Sequence, residues 1–108
     1  MKLIFAIVND ADAFNLTDEL NEQGYQVTKL ASTGGFLHSG NTTLICGVED
    51  DKVEKVLNII EDCSKSRRGF APASTGFSMG DGYVQPPFEV KIGGATIFVL
   101  NVEQFRKV

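Results

Sequence analysis

Apolar residues fill KLIFAIV (2–8) almost without a break. The polar stretch after it places Ala13, Leu16 and Leu20 at helical spacing as far as Gly24. The first run predicts a strand; the second predicts a helix that Asn9, Asp10 or Asp12 can cap and Gly24 stops. YQVTKLAS (25–32) and TTLICGV (42–48) read as two further strands. After Asp50 and Asp51, the residues Val53, Val56, Leu57 and Ile60 form an apolar stripe while Lys52, Glu54, Lys55 and Asn58 face water, so a second helix is predicted. Residues 64–83, SKSRRGFAPASTGFSMGDGY, have no period and are rich in Ser and Gly, which is uncommon for a connection inside a compact domain and marks a mobile or functional loop. PFEVKI (87–92) and ATIFVL (95–100) predict a hairpin turning on Gly93 and Gly94, and NVEQFRKV (101–108) one helical turn.

The order β-α-β-β-α-β with an extra C-terminal strand is the ferredoxin-like plan of an α+β domain: two helices on one face of an antiparallel sheet. Such a sheet normally alternates, apolar toward the helices and polar toward water. Here LIFAIV, LICGV and IFVL are apolar at both parities, so the face without helices is apolar as well. A patch of that size exceeds what soluble monomers leave in solvent. A symmetric oligomer packed through the bare face covers it most simply; the alternative is that the long loop folds over it.

Composition narrows the picture. A chain of 108 residues is read as one domain, 1–108, burying about 65% of its unfolded surface. The net charge of −4 and a pI near 4.8 repel polyanions, which excludes broad nucleic-acid binding and leaves an anionic ligand dependent on a local site. The apolar run Leu3 to Val8 is too short for a signal peptide, and no run approaches a membrane span. Cys46 and Cys63 form no CxxC pair and have a single histidine for company, which suits packing residues in a reduced, cytoplasmic protein.

The segment between the second and third strands, TGGFLHSGNTT (33–43), is too elaborate for a simple reversal. Gly35 to Thr42 approaches the phosphate-loop pattern, but Asn41 stands where the lysine belongs and a strand follows in place of a helix, which argues against triphosphate hydrolysis. What survives is a backbone concavity suited to phosphate oxygens. Thr28, Thr33, Ser39 and Thr42 are candidate hydroxyl donors, and Phe36 is a candidate surface for base stacking. The same glycines also suit a plain strand reversal, with Phe36 packed on a neighbouring subunit. His38 reads as a solvated loop residue, and Lys65, Arg67 and Arg68 as a wet surface cluster. Asp10 with Asp12, and Glu49 with Asp50 and Asp51, sit where helices begin. With no nucleophile–base pair, metal set or cofactor motif, the pattern is not read as an enzyme.

Thr28-Lys-Leu-Ala-Ser-Thr-Gly-Gly-Phe-Leu, then Ser39-Gly-Asn-Thr-Thr, Cys46-Gly-Val-Glu-Asp-Asp and Gly93-Gly-Ala-Thr-Ile-Phe-Val-Leu closely resemble the PstA-type PII-like proteins of Gram-positive bacteria, receptors for cyclic di-AMP. The resemblance runs from Met1 to about Phe105 and fails mainly in the long loop. It implies a PII-like homotrimer with ligand clefts between neighbours, and it places Thr28, Gly35, Phe36, Leu37, Asn41, Gly47 and Phe98 around the dinucleotide. Phe36, Leu37 and Phe98 would offer apolar walls, the backbone at Gly35 and Gly47 close approach, and Thr28 and Asn41 hydrogen bonds. Gly24 and Gln26 stand where such proteins carry an asparagine and an arginine that hold ribose and phosphate, and Lys107 stands for a glutamine. Loss of the arginine would cost roughly 1.5–3 kcal/mol if that bond is buried; Lys107 or His38 are candidates to restore charge. The resemblance thus implies a signal-transduction protein that relays cyclic di-AMP by loop ordering to an unidentified downstream protein. The alternative is a trimeric interaction module whose nucleotide binding is weak or lost.

Overall fold

The structure, a computed structural model of the chain, describes residues 1–30, 40–71 and 88–108. Strand β1 (Lys2–Asn9) runs directly into helix α1 (Asp10–Glu22). Then come β2 (Thr28–Leu30), β3 (Asn41–Val48), α2 (Val53–Ser64), β4 (Arg67–Ala71), β5 (Phe88–Ile92) and β6 (Ala95–Asn101). A 3-10 turn over Asp50–Lys52 leads into α2. One antiparallel sheet has the order β2-β3-β1-β6, the ferredoxin-like arrangement that the chain pattern predicts.

Local chemistry sets the helix ends. The Asn9 side chain accepts the Ala11 N–H at 3.1 Å, occupying a donor that the helix cannot satisfy itself. Past the other end, Gly24 adopts φ +91°, a left-handed conformation that only glycine takes without strain. Ile4, Ala6 and Val8 of β1 and Leu44, Cys46 and Val48 of β3 point toward the helices and pack in one core with Leu16, Leu20, Val56 and Ile60. Each fully buried leucine or isoleucine there contributes about 1.5–3 kcal/mol. Val53 and Leu57 flank that core, so the stripe read from the sequence is the buried face of α2.

The opposite sheet face carries the odd-numbered residues of β1. Cross-strand pairing aligns Thr28, Ile45, Phe5 and Phe98 in one row, and Gly47, Leu3 and Leu100 in the next. Leu3, Phe5, Ile7 and Ile45 are only half-buried, while Phe98 and Leu100 are 50% and 48% exposed. This is the bare apolar face expected from the unbroken hydrophobic runs.

Several expectations need correction. The hairpin about Gly93 and Gly94 does not form: β5 pairs with β4 in a separate two-stranded ribbon, and β6 pairs with β1. The two glycines, at φ +81° and +97°, instead join the ribbon to the sheet, with the Gly94 N–H donating to the Ser64 carbonyl. Residues 64–83 are not wholly irregular, since Ser64 ends α2 and Arg67–Ala71 is β4. No helical turn forms beyond Asn101. Arg67 is no idle surface cation: its Nη2 lies 2.8 Å from Oδ1 of Asp12, a carboxylate buried in the first turn of α1. That ion pair ties the base of the ribbon to the helix layer.

Candidate functional site

A groove of about 430 Å³ opens on the bare face, lined by Met1, Leu3, Gln26, Thr28, Ile45, Gly47, Val102 and Phe105. Its floor follows from strand register: Leu3 and Gly47 are cross-strand partners, and so are Thr28 and Ile45. Gly47 matters because a Cβ built there would meet nothing within 4 Å. The missing side chain leaves open volume above the strand, and its φ is not of the left-handed kind. Backbone conformation therefore does not require glycine here.

Exposed Gln26 and Thr28 bring a side-chain amide and a hydroxyl to one wall, and Leu3, Ile45, Val102 and Phe105 make the rest apolar. None of the lining side chains is charged. At the N-terminal end, the Met1 ammonium lies 2.8 Å from Asp50 Oδ1, and this contact holds the Asp50 carboxyl below its ordinary range. The arrangement suits a ligand with apolar faces and hydrogen-bonding edges, a size class typical of small-molecule sites.

Of the residues singled out in the sequence, the groove brings together Gln26, Thr28 and Gly47. Asn41 shares their face but lies at the other end of β3, about 20 Å along the strand from Gly47. It lines a smaller hollow of about 240 Å³ with Asn9, Gly93, Gly94 and Thr96. Phe98 sits in the same cross-strand row as Thr28 but on the opposite edge strand, roughly 14 Å away. Lys107 is exposed and is not among the described residues lining the groove. Gly35, Phe36, Leu37 and His38, like Thr33 and Ser39, lie outside the described residues. Thr42 is not available as a phosphate donor: it is buried on the helix side and its hydroxyl donates to Asp10.

No sequence motif marks Leu3, Ile45, Val102 or Phe105 as groove residues. Strand parity carried a signal for the first two, which belong to the bare-face rows. Nothing in the sequence foretold Phe105, because it reaches the groove through the path of the tail beyond β6. A third hollow, of about 470 Å³, lies on the other side of β2 between Asp10, Phe14, Thr17, Val27 and Lys29 and holds none of the residues expected to bind ligand except buried Thr42. Among the described residues, no group of three or more His, Cys, Asp or Glu side chains is placed to hold a metal. No helix among them is long and apolar enough to cross a membrane.

A family model described as cyclic-di-AMP receptor matches residues 1–108. A solved structure of a functionally unknown protein from Pediococcus pentosaceus is 42% identical and superimposes with a TM-score of 0.77, covering 99% of this chain and 96% of that one.

Proposed function

This chain belongs to the cyclic-di-AMP receptor family, and from that premise we propose that it binds cyclic di-AMP in clefts formed between identical subunits of a trimer. The observation that carries the proposal is the placement of Thr28, Asn41, Gly47 and Phe98. All four fall on the apolar face that has no helix over it. Thr28 and Phe98 occupy opposite edges of that face, too far apart to grip one base within a single chain. Packing the bare faces of neighbouring copies buries their apolar surface and sets one copy's β2 edge beside another's β6 edge. Each cleft then combines Gln26, Thr28 and Gly47 of one subunit with Phe98 and Lys107 of the next. Gly35, Phe36, Leu37 and Asn41 complete the ligand set, and contact with the loop that bears them couples occupancy to the surface offered to a downstream protein, a disorder-to-order relay. The protein acts by binding, with no catalysis and no cofactor, in the cytoplasm.

One observation favours the alternative, an interaction module with weakened nucleotide binding: no lining side chain in the groove is charged, Gln26 included, so none meets an anionic ligand with a cation. Titration calorimetry with cyclic di-AMP at two temperatures separates the two readings. Saturable heat at either temperature supports the receptor. None at millimolar ligand, with binding appearing only in Gln26→Arg, supports the module.

A further inference from the structure

The chain beyond β6 makes a turn that the ferredoxin-like plan does not require. The Val102 N–H donates to the Met1 carbonyl at 3.1 Å, and the tail then brings Phe105 to a groove also lined by Gln26 and by Thr28 of β2, the edge strand opposite β6. Phe105 is 66% exposed there. An aromatic ring held at a groove rim, mostly in solvent, has an unused face. The same groove holds the open space over Gly47, where an added Cβ would meet nothing within 4 Å.

We propose that Phe105 is a ligand-contacting residue, its ring forming the wall on which one base of the bound dinucleotide stacks above the Gly47 backbone. This rests on the cyclic di-AMP reading above and deepens it by assigning an aromatic contact in the subunit that also supplies Gln26, Thr28 and Gly47. The chemistry of the slot fits a nucleobase. Leu3, Ile45 and Val102 give it an apolar floor, Phe105 a planar side, and the Gln26 amide and Thr28 hydroxyl a hydrogen-bonding edge. Stacking tolerates any base, so Phe105 supplies affinity and the polar edge supplies the choice of adenine. The competing use of an exposed phenylalanine, packing against a neighbouring copy, predicts loss of assembly and not of ligand.

The test compares wild type, Phe105→Ala, Phe105→Trp and Gly47→Val by calorimetric titration with cyclic di-AMP, with sedimentation velocity on each. The chain has no tryptophan, so Phe105→Trp carries a single indole reporter. The expected result is binding by wild type, affinity roughly 5- to 150-fold weaker in Gly47→Val, and affinity about tenfold weaker in Phe105→Ala at unchanged assembly mass. Phe105→Trp should bind within about threefold of wild type, with indole fluorescence quenched in proportion to occupancy, as stacking requires. Unchanged affinity in Phe105→Ala, with Gly47→Val still weakened, would overturn the assignment of Phe105 and leave the receptor reading standing. A Phe105→Ala protein that falls apart into single chains would likewise overturn it, in favour of a subunit contact. If wild type takes up no ligand, both fall together.

Discussion

Gly47→Val is the sharpest perturbation the groove allows. Gly47 lies inside β3, exposed, with no neighbour within 4 Å of an added Cβ and no left-handed φ. Glycine in a strand interior costs roughly 0.5–1 kcal/mol relative to alanine, and valine's preference for strands acts in the same direction. The substitution should therefore stabilise the fold by about 1 kcal/mol, a melting point roughly 4–6 °C higher for a domain of this size. The same three carbons fill the space in which the ligand is proposed to lie. Forcing extra methyl groups into a packed contact costs about 1–3 kcal/mol, which is roughly 5- to 150-fold in Kd. Scanning calorimetry and ligand titration on one preparation read both arms, and sedimentation checks that the assembly is unaltered. A variant that melts higher and binds as tightly as wild type would refute the groove as the ligand seat. One that melts lower would refute the open space above Gly47.

Two further outcomes follow from other parts of the molecule. Phe5 lies centrally in the bare face, between Ile45 and Phe98, so Phe5→Glu would trap a carboxylate in any contact between copies. Because burying an ion costs several kcal/mol, subunit association should weaken more than about a hundredfold by sedimentation equilibrium, with the far-ultraviolet spectrum of the single chain retained; an unchanged assembly mass would show that the face is covered otherwise. The thiols offer a pH test. Burial raises the Cys46 pKa, and burial together with the nearby Glu19, Asp62 and Asp12 carboxylates raises that of Cys63. A raised pKa lowers the thiolate fraction at a given pH, so both should alkylate more slowly than free cysteine at pH 8 and accelerate as pH rises through 9 and beyond. Half-buried Cys63 should react before buried Cys46, and the reverse order by peptide mass analysis would contradict the described burial.

How much of this was legible depends on what kind of information each element carries. β1, α1, β3 and α2 were readable because a period or an unbroken run reports local environment. The bare face was readable because LIFAIV and IFVL break the alternation that a one-sided sheet demands. Pairing was less accessible. Gly93-Gly94 marks the boundary between β5 and β6, but a glycine pair does not say which strand receives the chain, and β1 offers β6 a partner at every residue from Lys2 to Val8. β4 was missed because RRGFA has too few apolar positions to show an alternation. Likewise Arg67 looked like a surface cation, since nothing along the chain reports that Asp12 is buried 55 residues away. Within the groove, motif resemblance reaches Gln26, Thr28 and Gly47, whereas Phe105 depends on a tail path that only three dimensions record.

The ribbon has a consequence for how such a protein can change over time. It leaves the sheet layer after Ser64 and returns at Gly94, and those two residues are joined by a backbone hydrogen bond. At Gly93 any side chain is forbidden on two counts, the φ of +81° and an added Cβ lying 2.7 Å from Arg67 Nη1 and 2.9 Å from the Lys65 carbonyl oxygen. The exit and entry are thus clamped together, so the intervening chain forms a closed excursion whose length costs the scaffold only logarithmically. Mutation can lengthen, shorten or rewrite that excursion while the four-stranded sheet and the groove over Gly47, which takes no lining residue from the ribbon, are inherited intact.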